Sequence, residues 1–168
     1  MRHKNVCVGL ALIPSLVGAL TIACPATAQD LPSSIAGLWK VTGVTTKIVS
    51  TGEMVHPFGE RPSGYQIFTR GGHVMFSMFG ENRASSARPV PDVDRVALFN
   101  ALVAYSGTYK VEGSKLLIHF EASATPGTLD RTYFAEISGN KLTLTSDAFT
   151  SGITGRRIIT IRSFDRIE

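Results

Sequence analysis

The chain has 168 residues, a net charge of +4 from 17 Lys and Arg against 13 Asp and Glu, and two cysteines. A small positive charge without a Lys/Arg-rich run does not favour nucleic-acid binding, and no apolar stretch after Ala28 is long enough to span a membrane. The length suits one domain that can bury a core of its own.

The first 28 residues have the pattern of a secretory signal peptide. A short basic start, residues 2–4, precedes an apolar run over residues 6–23. Residues 26–28, Ala-Thr-Ala, then supply the small side chains that signal peptidase requires. We therefore expect residues 1–28 to be removed, and residues 29–168 to form one domain that is periplasmic or secreted.

Both cysteines, Cys7 and Cys24, lie within this leader. A mature chain that begins at Gln29 has no disulfide although it is exported, so its stability must come from its core. An alternative is lipidation of Cys24, because residues 21–24 loosely resemble a lipobox, although Thr21 stands where leucine is usual. Without the leader the chain keeps 15 basic and 13 acidic residues, a net charge near +2.

Eight segments after the leader have the composition of β-strands. They are short, rich in β-branched and aromatic residues, and bounded by Gly, Ser, Asn or Pro. They cover residues 39–49, 64–70, 73–79, 107–112, 115–121, 129–137, 141–146 and 157–166, with residues 54–58 as a candidate ninth. We expect an all-β fold: a single up-and-down antiparallel β-barrel of eight or nine strands, because closure removes exposed sheet edges.

The segment MVHPFGERPSGYQIF, residues 54–68, allows two interpretations: a catalytic loop around His56, or a corner of the fold. The prolines cannot donate to a sheet ladder and the glycines adopt angles that other residues resist, which is typical of a corner. A catalytic His56 would also need a nucleophile, yet the mature chain has neither a cysteine nor a Gly-x-Ser-x-Gly elbow. A strand connection at one barrel end is therefore favoured.

The dipeptide Gly71-Gly72 predicts a two-residue hairpin turn, which determines the pairing of the strands beside it. The pairs on one face are then Thr69 with Val74, Ile67 with Phe76, and Tyr65 with Met78, while Phe68 and Met75 share the other face. The first face is the more apolar, so we expect it to point inward. Its side chains either fill the core or surround a small ligand, since a barrel of eight strands permits both.

One helix is expected within the β-rich chain, over residues 92–105. Asp92 can cap it, and small and apolar residues recur at helical spacing behind Asp92. The helix should cover a barrel end or pack outside the barrel. The polar segment before it, residues 80–91, is predicted to be a mobile loop at the barrel mouth.

The strand LLIHFEAS carries the best candidates for polar chemistry. Period-two alternation places His119 and Glu121 on one face. If Glu121 lies opposite Arg131, then His119 lies opposite Tyr133, and the four side chains share one surface. This surface binds a carboxylate or phosphate, or tunes the histidine for proton transfer, or is an ordinary outer face in water.

Several segments together resemble the lipocalin-like domains of bacteria and fungi. The motifs that carry the resemblance are Gly37-x-Trp39, Pro57-x-Gly59, Pro62-x-Gly64-Tyr65 and Tyr105-x-Gly107-x-Tyr109. The resemblance covers nearly the whole mature chain and implies a calycin-type barrel with an internal cavity. It also implies that Trp39 closes one barrel end, stacked on Arg162 or Arg166 of the last strand.

No metal or cofactor is expected, because His56, His73 and His119 lack any paired ligand spacing and no axial haem ligand can be assigned. The leading hypothesis is a secreted carrier of a small hydrophobic or amphipathic molecule, which is anionic if the polar cluster binds it. Its expected ligand contacts are Tyr65, Ile67, Phe76, Met78 and Tyr105 as lining, with His119, Glu121, Arg131 and Tyr133 as the polar part. The alternatives are an acid/base enzyme (isomerase, cyclase or hydrolase) that uses the same cavity, and a filled barrel that acts through its surface.

Overall fold

The computed structural model describes residues 34–81, 88–125 and 130–168. Ten strands run through these ranges, and a helix, α1 (Asp92–Asn100), lies between the fourth and fifth strands. The strands are β1 (Gly37–Ile48), β2 (Met54–Val55), β3 (Ser63–Phe68), β4 (His73–Phe79), β5 (Leu102–Glu112), β6 (Lys115–Ser123), β7 (Asp130–Ser138), β8 (Lys141–Ser146), β9 (Phe149–Thr150) and β10 (Arg157–Arg166).

Eight of these strands form a closed antiparallel barrel, which confirms the predicted fold class. Neighbours in sequence pair with one another from β3 to β8, β8 pairs with β10, and β1 closes the barrel by pairing with both β3 and β10. The two-residue strands β2 and β9 extend the wall at one end, where they pair with the end of β1 and the start of β10. None of the described helices is long and apolar enough to cross a membrane.

The predicted strands all occur, but the helix is shorter than expected and β9 was not foreseen. The helix ends at Asn100, and residues 102–105 begin β5 instead. Val103 and Tyr105 pair with Met78 and Phe76 of β4 and face the barrel interior, so sheet pairing outweighs their helical spacing. The N-cap is Pro91 rather than Asp92, and no side chain caps the helix. Residues 82–87 of the predicted mobile loop lie outside the described residues.

The hairpin between β3 and β4 has a different register from the predicted one. Thr69 N donates to His73 O at 2.9 Å, which leaves a three-residue loop over residues 70–72 in which Gly72 adopts a φ of 82°. Phe68 therefore pairs with Val74, and Gln66 with Phe76. The extra loop residue slips β3 by one position, and a slip of one position turns its side chains to the opposite face.

The predicted inward direction of Tyr65 and Ile67 is consequently wrong. Tyr65 is 49% exposed and Ile67 is 40% exposed on the outer wall, whereas Gln66 and Phe68 of the same strand are buried inside. Phe76 and Met78 of β4 do face inward, as expected. The strand β3 thus contributes to the interior the residues that the pattern had placed outside.

The pairing of β6 with β7 is also shifted, by three positions. Ile118 lies opposite Arg131 and Leu116 opposite Tyr133, while His119 lies opposite Asp130. Because three is an odd number, Arg131 and Tyr133 share a face with Leu116 and Ile118 rather than with His119 and Glu121. The predicted common surface of the four polar side chains is therefore not formed.

Within the segment 54–68, residues 56–62 connect β2 to β3 as a corner. Gly59 N donates to His56 O at 3.1 Å in a turn, and Gly59 adopts a φ of 80°. The carboxylate of Glu81 fastens this turn, since its Oε2 accepts the N–H groups of Glu60 at 3.0 Å and Arg61 at 3.2 Å. The His56 side chain is exposed. The segment shapes the barrel end at which β2 and β9 lie.

The opposite end of the barrel is closed by Trp39, which is 0% exposed. Its Nε1 donates to Ile35 O at 2.8 Å, and the guanidinium carbon of Arg166 lies 4.0 Å from the centre of its ring. Arg166 in turn donates to the carbonyl of Ala36 at 2.9 Å. The expected stacking partner is therefore Arg166, while Arg162 lies deeper in the barrel. In the half of the barrel nearer to Trp39, the interior is filled by apolar side chains: Trp39, Val41, Phe68, Val74, Leu116, Leu142 and Phe164.

Candidate functional site

The other half of the barrel contains a cavity of about 450 Å³. Its walls are mostly apolar, and six strands and the β2–β3 connection contribute Ile48, Val55, Phe58, Val103, Phe120, Phe149 and Ile158. Glu53, Asn100 and Ile153 lie at its mouth, on the side of β2, α1 and the β9–β10 connection. A volume of this size is typical of sites that bind one small molecule.

The cavity has a cationic floor, which is formed by Arg162 of β10. Strand alternation points this residue inward between Thr160 and Phe164, and it is only 8% exposed. Its Nη1 donates to the hydroxyl of Tyr105 at 3.1 Å. Its guanidinium carbon lies 4.7 Å from the ring centre of Phe76 and 5.4 Å from that of Tyr133.

The neighbours of Arg162 are uncharged phenols and rings. Burial acts to lower the pKa of Arg162, but Tyr133 and Tyr105 together outweigh burial and raise the pKa, so the guanidinium keeps its charge. Burial raises the pKa of Tyr105 and Tyr133 raises it further, against the opposing effect of Arg162, so this phenol stays protonated. Within the described ranges, no carboxylate forms an ion pair with Arg162. A buried cation without a counter-ion is costly, by several kcal/mol in proteins.

A second guanidinium, that of Arg131 on β7, lines the same cavity. It is half buried, and its carbon lies 3.4 Å from the ring centre of Phe149. Burial lowers the pKa of Arg131, Tyr133 and Asp147 oppose this change, and repulsion from Arg162 adds to it. Arginine retains its charge under such conditions. The cavity therefore holds two positive charges that repel each other, and the carboxylate of Asp147 partly offsets the charge of Arg131.

The floor is supported from below by Gln66. Its Nε2 donates to the Tyr105 hydroxyl at 3.1 Å, so Tyr105 connects Gln66 to Arg162. The Gln66 side-chain oxygen is fully buried, and no described residue hydrogen bonds to it. Gln66, Tyr105 and Arg162 form a polar layer between the filled half of the barrel and the cavity.

The structure brings together only some of the residues that the sequence had suggested as ligand contacts. Tyr105, Arg131 and Tyr133 line the cavity. Phe76 and Met78 point into the barrel and are buried, but neither lines the cavity, and Phe76 packs against Arg162.

The remaining four suggested contacts lie on the outside of the barrel. Tyr65 and Ile67 point outward for the reason given above, and Glu121 is exposed. His119 is exposed as well, and its Nδ1 lies 2.8 Å from Oδ1 of Asp130. Because His119 is outside the barrel, it cannot act as the acid or base for a molecule held in the cavity.

Sequence reasoning did not foresee that Arg162 and the polar pair Thr46 and Thr160 line the cavity. In β10, RIITIRSFDR, both alternating sets contain apolar residues, so the strand alone does not show which set faces inward. The pairing of Trp39 with Arg166 is the signal that could have decided it, because every second residue back from Arg166 then points inward, including Arg162 and Thr160.

Nowhere in ranges 34–81, 88–125 and 130–168 do three or more His, Cys, Asp or Glu side chains come close enough to hold a metal ion. Among families of known proteins, residues 36–160 match the one described as the lipocalin-like domain. A comparison with curated proteins gave no match.

Proposed function

The chain belongs to the lipocalin-like domain family, and from that premise we propose that its barrel carries a small amphipathic anion. The anionic group of this ligand lies against Arg131 and Arg162, and its apolar part extends toward the mouth. The observation that carries the proposal is the buried, permanently charged Arg162 at the bottom of a mostly apolar cavity.

The energetic argument rests on what surrounds the two guanidinium groups. Arg162 has neutral partners: it donates to Tyr105 and contacts aromatic rings, and no described carboxylate balances its charge. A carboxylate would supply the missing negative charge, and hydrogen bonds to charged groups contribute about 1.5–3 kcal/mol each. The apolar walls favour a hydrocarbon body by about 25 cal/mol per Å² removed from water. Both ends of an amphipathic anion therefore gain from entering the barrel.

The test compares a charged ligand with a neutral one of the same length. Binding of decanoate and of decanol is measured by isothermal titration calorimetry for the wild type, for Arg131→Met and for Arg157→Met. Arg157 is the matched control, because it lies at the start of β10 and is exposed. We expect Arg131→Met to weaken decanoate binding by about ten-fold or more, as loss of one charged hydrogen bond implies, and to leave decanol binding nearly unchanged.

Two results would contradict the proposal. Equal losses for decanoate and decanol in Arg131→Met would mean that this residue supports the barrel rather than an anion. Failure of the wild type to bind any amphipathic acid would refute the anion carrier itself. Native mass spectrometry of the purified protein shows whether a ligand co-purifies with it, and mass spectrometry of an organic extract of the same protein identifies that ligand.

We further propose that the protein is exported, with a mature chain that begins at Gln29. Support comes from the basic start, the apolar run and the Ala-Thr-Ala sequence at residues 26–28. Intact mass spectrometry of protein recovered from the periplasm or medium should give the mass of residues 29–168. A mass that includes diacylglycerol on Cys24 would instead show the lipoprotein route.

A further inference from the structure

A pair of threonines faces the cavity one step above Arg162. Thr46 of β1 and Thr160 of β10 are directly paired, both are buried, and both line the cavity. Paired side chains in an antiparallel sheet have Cβ atoms about 4.5–5.5 Å apart. On the same two strands Arg162 lies on the floor side and Ile158 on the mouth side, so this hydroxyl pair interrupts an otherwise apolar wall.

The hydrogen bonds around Thr160 establish the direction in which its hydroxyl points. Ser146 Oγ donates its only proton to the carbonyl of Asp147 at 2.8 Å, and it accepts the N–H of Thr160 at 2.9 Å. The contact between Thr160 Oγ1 and Ser146 Oγ, at 3.2 Å, must therefore be donated by Thr160. The proton of the Thr160 hydroxyl is used in this hydrogen bond, so Thr160 Oγ1 can only accept a hydrogen bond from a ligand.

The hydroxyl of Thr46, in contrast, is available as a hydrogen-bond donor. No described residue hydrogen bonds to its side chain, although the residue is only 5% exposed, so its hydroxyl can donate to a molecule in the cavity. A ligand group between the two threonines satisfies both if it donates a hydrogen bond to Thr160 and accepts one from Thr46. A hydroxyl group does both, whereas a ketone or ether oxygen can only accept.

We propose that the natural ligand is a hydroxylated amphipathic acid, whose hydroxyl group lies between Thr46 and Thr160 while its acid group lies at Arg162. This inference rests on the proposed anion carrier and specifies its ligand. Thr160 and Arg162 are two residues apart on one strand, which corresponds to about 6.6 Å along the strand. The hydroxyl group therefore sits several bonds from the acid group, and a chain that carries it at the far end does not fit.

The test measures binding of decanoate, β-hydroxydecanoate, δ-hydroxydecanoate and δ-oxodecanoate by isothermal titration calorimetry. We expect one of the two hydroxy acids to bind about ten-fold tighter than decanoate, and the oxo acid to bind no better than the matching hydroxy acid. In Thr46→Val and in Thr160→Val this preference should disappear or reverse, because a buried hydroxyl without a partner costs affinity.

The matched control is Thr45→Val, since Thr45 is adjacent in β1 and points to the other side of the sheet. Thr46→Ser, which keeps the hydroxyl, should retain the preference, and thermal melts establish that each variant is folded. If decanoate binds the wild type and neither hydroxy acid binds more tightly, the hydroxyl inference is overturned and the anion carrier stands. If none of the acids binds, both are refuted. Retention of the full preference in both valine variants would also overturn the inference.

Discussion

Replacing Arg162 by methionine separates ligand binding from stability. Methionine has a similar length and a flexible apolar chain, so it can occupy the space beneath the cavity without a charge. If the role of Arg162 is to bind the ligand, its removal should weaken anion binding strongly and leave the empty barrel about as stable as before. If Arg162 is a structural cation, its removal should destabilise the empty barrel.

The magnitude follows from the contacts of the guanidinium. The variant loses a hydrogen bond to Tyr105, worth about 1.5–3 kcal/mol for a charged donor, and a ring contact with Phe76, worth up to about 2 kcal/mol. It gains relief from burying an unpaired cation, a cost of several kcal/mol, and from repulsion by Arg131. These contributions nearly cancel, and Tyr105 keeps its hydrogen bond from Gln66. We expect the free energy of unfolding to change by less than about 2 kcal/mol.

The assay is urea unfolding followed by the fluorescence of the single tryptophan, Trp39, which is buried at the closed end and does not line the cavity. Each unfolding curve is recorded without ligand and with saturating decanoate. Decanoate should stabilise the wild type and have almost no effect on Arg162→Met, with an affinity lower by about a hundred-fold, or about 2.7 kcal/mol. A loss of about 3–5 kcal/mol in the empty variant, together with unchanged decanoate affinity, would refute the reasoning.

Four other predictions concern the fold and the surface. Trp39→Ala should lower the free energy of unfolding by about 3–5 kcal/mol, and a change within the error of the urea curve would show that Trp39 does not close the barrel. Phe68→Ala should cost a similar amount, whereas Ile67→Ala should cost less than about 1 kcal/mol, and the reverse order would favour the register with a two-residue turn. His119→Gln should leave decanoate affinity unchanged, because this residue is outside the barrel, and a large loss would place it at the ligand. The pKa of Glu81 is lowered, chiefly by the backbone N–H of Arg61, which donates to its carboxylate. Glu81 therefore contributes stability above the usual glutamate pKa range, and this contribution is lost as the pH falls through the lowered pKa. An NMR titration that gives an ordinary or raised pKa for Glu81 would contradict this.

The sequence alone determined the class of fold, because that information is local. Short runs rich in β-branched and aromatic residues, separated by Gly, Ser and Asn, predicted the strands, and those at residues 73–79, 141–146 and 157–166 have the predicted bounds. Closure into a barrel followed from the number of strands and the cost of exposed edges. The family resemblance carried by the Gly37-x-Trp39 motif also implied a stacked arginine at the closed end, Arg162 or Arg166, and the structure shows Arg166 there.

Only the tertiary structure decided which side chains face the cavity. Strand alternation has a period of two, so a single extra residue in the loop at 70–72 turned Tyr65 and Ile67 outward, and a shift of three in the pairing of β6 with β7 separated His119 from Arg131. Loop geometry and strand pairing depend on hydrogen bonds between distant parts of the chain. The composition of each segment therefore does not predict the strand register to within one residue. Arg162 lies on the floor for the same reason: its neighbours Tyr105 and Phe76 belong to strands more than fifty residues away, and they meet it only when the barrel closes.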